Sequence, residues 1–191
     1  MTSAIQSPGL PRFSLCVYCG SRSGDDPRYA AAATAMGSWI GANGGRLVYG
    51  GGKSGLMGIV ADATLAAGGQ VYGVIPRNLE QREVAHRGLT ELHVVGTMNE
   101  RKQMMIAQAD AFVALPGGMG TLEEMFEVWT LLMLGFHAKP VGMLNTLGYF
   151  DGLTAYLHSQ RDKGFLSQGQ LDLLWSDADV APLMRRLLPA I

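Results

Sequence analysis

"DAFVALPGGMGTLEEMFEVWTLLML", residues 110–134, changes character twice within one short stretch. Residues 111–115 are apolar without alternation, which suits a strand covered on both faces. Pro116, Gly117 and Gly118 end that run, Gly120 follows, and from Thr121 the apolar residues recur at helical density. Strand, glycine-rich turn and helix in that order form the repeating unit of a parallel α/β sheet. Thr121 as N-cap with Glu124 three residues later fits a capping box, and acids suit a first helical turn. That reading leaves Pro116, Gly117 and Gly118 unexplained, since glycines cost backbone entropy and add nothing to a core. A row of backbone amides around an anion accounts for them.

The same alternation runs along the chain. Strands are expected in "FSLCVYCG", "RLVYGGG", "QVYGVIP", "ELHVVG", "DAFVALPGG" and "KPVGMLN". Helices are expected in "DDPRYAAAATAMGSWIGAN", capped by Asp26 with Pro27 at its first position, and in "LMGIVADATLAAGG". "TMNERKQMMIAQA", "TLEEMFEVWTLLML" and "YFDGLTAYLHSQRDKG" follow, and the end offers a short "LLW" and a last helix near Pro182. No linker, low-complexity tract or internal repeat interrupts them. The expectation is a single doubly wound, Rossmann-like domain with a mostly parallel sheet over residues 12–191. Residues 1–11, with Pro8 and Pro11, read as a disordered tail and not as a signal peptide.

At 191 residues, 48% hydrophobic and 16% charged with a net charge of -1, the composition is that of a soluble globular protein. No basic excess points to nucleic acid or to an anionic membrane, and no apolar run reaches the ~20 residues of a membrane span. A cytoplasmic location is expected. The two cysteines, Cys16 and Cys19, stand inside an apparent strand, where residues three apart point to opposite faces, so they read as small buried residues. His86, His93, His137 and His158 have no metal-ligand spacing, and neither a metal nor a cofactor is expected.

Ligands of such a sheet bind beyond the carboxyl ends of the strands. "CGSRSG" (19–24), "YGGGKSGLMG" (49–58) and "LPGGMGTLEE" (115–124) fall there. The middle one matches GxGxxG through Gly50, Gly52 and Gly55, yet the region where a ribose-binding acid belongs reads "VIPRN", with Arg77 and no acid. It is not a phosphate-binding Walker loop either, because Leu47 stands where that motif needs glycine. "NERK" (99–102) places Arg101 and Lys102 near a helix start, where the helix dipole disfavours cations. Beside a glycine-rich anion site they make sense as phosphate ligands, a solvated face being the alternative for Lys102.

"LPGGMGTLEE" is similar to the PGGxGTxxE signature of the Lonely Guy (LOG) family of cytokinin riboside 5′-monophosphate phosphoribohydrolases. "VYCGSRSG", "LVYGGGKSGLMGIVADA", "GVIP", "MNERK", "ADAFVALPGGMGTLEE" and "HAKPVG" occur in the family's order over nearly the whole chain. Members have often been labelled lysine decarboxylases, a label that no lysine in a pyridoxal-phosphate context supports here. The resemblance implies hydrolysis of the N-glycosidic bond of N6-modified AMP to free base and ribose 5-phosphate. It implies that Arg101 and Glu124 are catalytic. It also implies that Glu83, Lys102, Gly118, Met119, Gly120, Thr121, Leu122, Glu123 and Thr130 bind the nucleotide. Arg22 and Ser54 stand where the family varies, positions that bear on base selection. The apolar surround of the helix after the motif (Met125, Phe126, Val128, Trp129, Leu131 to Leu134) indicates cover on more than one side, and a homodimer is expected. The alternatives are a nucleosidase acting on plain AMP in purine salvage and a nucleotide carrier or sensor without catalysis.

Overall fold

The computed structural model describes residues 9–80 and 84–191. Among these residues seven strands form one sheet in the order β4-β3-β2-β1-β5-β6-β7, every neighbouring pair parallel. They are β1 (Ser14–Tyr18), β2 (Arg46–Tyr49), β3 (Gln70–Pro76), β4 (Glu91–Val95), β5 (Ala111–Ala114), β6 (Val141–Leu144) and β7 (Leu174–Asp177). The inner strands β1, β5 and β6 are buried at every position, whereas the edge strands β4 and β7 are not. This is why the inner strands carry continuous apolar runs.

Helices α1 (Pro27–Ala42), α2 (Gly55–Ala66) and α7 (Val180–Leu187) pack on one face. On the other lie α3 (Met98–Gln108), α4 (Met119–Met133), α5 (Asp151–Asp162) and the short α6 (Gln168–Leu171). Strand β1 and the residue after it show the division one by one: Leu15, Val17 and Cys19 join the first core, Cys16 and Tyr18 the second. Cys16 and Cys19 are therefore free and buried on opposite sides, as their spacing predicts. Asp26 caps α1 as expected, its carboxylate accepting from the Arg28 amide at 2.9 Å with Pro27 in the first turn.

Two expectations need correction. The fourth helix begins at Met119 with Gly118 as its N-cap and no side-chain cap bond, so Thr121 and Glu124 do not form a capping box. Thr121 is buried within the first turn instead, its hydroxyl packed so closely on Gly117 that a Cβ there would lie 2.1 Å from it. The sequence reading also lacked α6, which is closed by a true capping box between Ser167 and Gln170.

Helices α1 and α2 meet backbone to backbone. A Cβ at Gly37 would stand 2.4 Å from the Val60 carbonyl oxygen, and one at Gly41 would stand 2.6 Å from that of Thr64. Neither neighbour is a side-chain tip that can swing aside, so a methyl group must push the helices apart. Gly37→Ala should therefore destabilise by about 1–3 kcal/mol in urea unfolding despite alanine's better helix propensity. Gly152→Ala in α5, where nothing lies within 4 Å, should be neutral or stabilise by up to ~1 kcal/mol.

Candidate active site

The chain reverses its direction of travel across the sheet between β1 and β5, and the crevice at their carboxyl ends is where an α/β sheet binds ligands. The pairing of these strands continues into their loops. Leu115 N donates to Tyr18 O at 2.9 Å, and Gly20 N donates to Pro116 O at 3.1 Å. Met57 N from α2 donates to Gly20 O at 3.3 Å. The first and third glycine junctions are thus bound to one another, with the start of α2 beneath them.

A cavity of about 280 Å³ opens between these loops and the start of α3. Arg101, Gly118 to Thr121, Glu123 and Glu124 all line it, so seven of the expected site residues come together. Gly118 and Gly120 are the open side of the turn, for nothing lies within 4 Å of where their Cβ atoms would be. The first N–H groups of a helix have no partner inside it, and with no side-chain cap on α4 its N-terminal amides are available to an anion, which the helix dipole also favours.

Arg101 is 4% exposed. Its Nε donates to Val74 O at 3.1 Å and its Nη2 to Gly50 O at 2.8 Å, while Nη1 lies 3.8 Å from Met98 Sδ. A Cβ at Gly50 would fall 1.9 Å from that Nη2. The glycine of the middle junction thus makes room for a buried guanidinium, a role that its GxGxxG spacing does not suggest. Helix α3 tolerates the cation near its start because Thr97 caps it, accepting from Glu100 N at 3.1 Å, and Glu100 sits in the first turn.

The negative field of Glu124 reaches the floor of the cavity. Burial pushes the Cys19 thiol far above its ordinary range, and the Glu124 charge adds to that. Tyr18 is also raised, first by burial, with Cys16 and then Glu124 contributing. Neither Cys19 nor Tyr18 is therefore an ionised nucleophile at neutral pH. Among the described residues no group of three or more His, Cys, Asp or Glu could hold a metal ion.

The other expected residues lie elsewhere. Lys102 turns to α4, where its ammonium pairs with Glu123 and, at 3.0 Å, with Glu127. The hydrogen bond to Glu123 is the main reason its pKa rises. Leu122 packs against the second core, Thr130 is exposed, and Glu83 lies outside the described residues. A larger chamber of about 440 Å³ adjoins the first and shares Gly20, Ser21 and Gly118 with it. Tyr29 and Tyr149 wall this chamber, with ring centroids 5.7 Å apart and edge to face. Neither tyrosine was expected, although Tyr149 follows β6, the strand next to β5, on the carboxyl side where ligands bind.

A family model described as "Possible lysine decarboxylase" matches residues 57–187. Cytokinin riboside 5′-monophosphate phosphoribohydrolase LOG7 from Arabidopsis thaliana is 44% identical over 173 residues, covering 91% of this chain and 80% of that protein. The probable cytokinin riboside 5′-monophosphate phosphoribohydrolase LOGL9 from Oryza sativa subsp. japonica is 47% identical, covering 91% and 76%. Among solved structures, the molybdenum cofactor carrier protein from Chlamydomonas reinhardtii superimposes with a TM-score of 0.67 at 21% identity, covering 92% of this chain and 98% of that one. The molybdenum cofactor binding protein from Rippkaea orientalis gives 0.64 at 18%, covering 90% and 92%. At those identities the two structures speak to the fold alone. The length and level of the match to the plant proteins, together with the family model, place this chain in the LOG family.

Proposed function

We propose that this protein hydrolyses the N-glycosidic bond of a cytokinin riboside 5′-monophosphate, releasing the free N6-modified base and ribose 5-phosphate. The observation that carries the reading is the meeting, in one cavity, of open helix-start amides with a carboxylate and a buried guanidinium. The 5′-phosphate rests on the amides of Gly118 to Thr121 at the start of α4. The ribose then lies over the first turns of that helix, beside Glu124. Breaking the bond from C1′ to the base nitrogen leaves oxocarbenium character on the sugar. The Glu124 carboxylate stabilises that charge and orients the water that adds to C1′. The bond's electron pair departs with the base, which takes up a proton. Arg101, fixed by the carbonyls of Gly50 and Val74, supplies a positive charge that does not need to be reorganised during the reaction.

The working unit is a homodimer. Met119 (79% exposed) at the start of α4, Thr130 further along it and Leu134 (65% exposed) just past its end face outward, and Phe136 continues this apolar strip. Thr130 lies nine positions beyond Thr121, about 14 Å along the helix axis, too far to reach the cavity of its own subunit. On an apolar stripe that faces a second copy, it can serve the site of that copy.

Light scattering should accordingly give twice the chain mass of 20.4 kDa at micromolar concentration. A monomer mass there would refute the dimer. Isopentenyladenosine 5′-monophosphate should be hydrolysed far better than its nucleoside, and equal efficiency on the two would remove the phosphate from the α4 site. Comparison with plain AMP distinguishes this reading from AMP salvage, and no release of base from any nucleotide would leave a carrier. Glu124→Gln should lower turnover by roughly 10²-fold or more with the thermal midpoint followed in parallel. Glu123→Gln, whose carboxylate is engaged with Lys102, should cost clearly less. Near-normal turnover in Glu124→Gln overturns its role.

A further inference from the structure

We propose that Tyr149 is a positioning residue that sets the direction of the anion-binding amide of Gly118. The inference rests on the phosphate site described above and adds to it a residue from a separate part of the chain. The Tyr149 hydroxyl donates to the carbonyl oxygen of Gly117. In a trans peptide unit the C=O and the following N–H point in opposite directions, and no peptide bond among the described residues is cis. Holding the Gly117 carbonyl toward Tyr149 therefore turns the Gly118 N–H away from it. Tyr149 walls the larger chamber, whereas Gly118 lines both chambers, so the amide is aimed toward the smaller one, which holds Arg101 and Glu124.

Bonds from Gly20 N and Leu122 N hold the carbonyls of Pro116 and Gly118, and the Tyr149 hydroxyl holds the one between them. Gly118 is an N-cap without a side chain and without contacts on its open side, and glycine peptides rotate easily. The segment that delivers Tyr149 is, by contrast, firmly built. Leu147 adopts φ 59 and Gly148 φ 69, and a leucine in the left-handed region is strained. The surroundings impose it: Phe150 N donates to Asn145 Oδ1 at 2.7 Å, Asn145 Nδ2 donates to Asp151 at 2.7 Å, and Asn145 N donates to Asp177 O at 2.7 Å. The Tyr149 ring is then held edge-on by Phe150, at 5.0 Å between centroids, and by Tyr29. A strained turn whose product is one hydroxyl on the glycine loop is well explained by a demand on that loop.

Tyr149→Phe tests this because it keeps the ring contacts and removes only the hydroxyl. The Michaelis constant for the nucleoside 5′-monophosphate and the inhibition constant of inorganic phosphate should each rise about tenfold, as expected for one lost hydrogen bond, with a much smaller change in kcat. Activity on the nucleoside, which makes no use of the amides, should change little, so the preference for the phosphorylated substrate narrows. Unchanged constants for both nucleotide and phosphate in Tyr149→Phe, beside a wild type that discriminates, overturn the role of Tyr149 and leave the site intact. A parallel loss on nucleotide and nucleoside also overturns it, since that is the signature of a merely structural residue. A wild type that neither prefers the phosphorylated substrate nor is inhibited by phosphate sinks the phosphate site and this inference together.

Discussion

The parallel pairing of β1 with β5 is the constraint from which the site follows. Tyr18 stands opposite Ala114 in register, and the ladder runs on one step further into irregular backbone through Leu115 and Gly20. Two loops that leave adjacent strands in this way cannot drift apart without breaking bonds at the centre of the sheet. The crevice between them therefore inherits the rigidity of the core, although it is made of glycine. The start of α4 is attached to that frame directly, and α2 through the Met57 amide.

Arg101 introduces the second constraint. A guanidinium taken out of water is costly unless its donors are met, and removing a partner of such a group is more costly than never burying it. Here the carbonyls of Gly50 and Val74 come from the ends of β2 and β3, so the cation joins the far half of the sheet to the start of α3. The same geometry excludes any side chain at Gly50. Lys102, the next residue, does opposite work at the surface, tying α3 to α4 through two carboxylates one helical turn apart. Adjacent cations that look equivalent in the sequence thus divide into one interior anchor and one surface tie.

The order of strands and helices was legible because burial on two faces leaves a continuous apolar signature, and because Asp26 and Pro27 announce a helix by local chemistry. The cavity was legible for a similar reason: glycines at three strand ends converge in a parallel sheet. What escaped was non-local or ambiguous. Thr121 resembles a cap by spacing, but the fold turns its side chain into Gly117, a choice decided by packing. The partners of Lys102 lie 21 residues and more along the chain, and that of Tyr149 lies 32, distances at which a single sequence is silent. The α6 capping box, Ser167 with Gln170, was within reach of a local reading and marks a helix too short to show a period.

The central pairing also governs when this protein becomes competent. Ser14 N donates to the Asp110 carboxylate across 96 residues of chain, and β1 has no partner on that side until β5 exists. Contacts of such separation form slowly, because the loop they close must lose its entropy before the pairing repays it. During synthesis the first four strands emerge as a half-sheet with an unoccupied edge at β1 and no crevice. The cavity is thus assembled when β5 pairs with β1, before β6 and β7 extend the sheet. A chain halted after β4 holds the first two glycine junctions and lacks the third, so an open crevice reports that the two halves of the sheet have met.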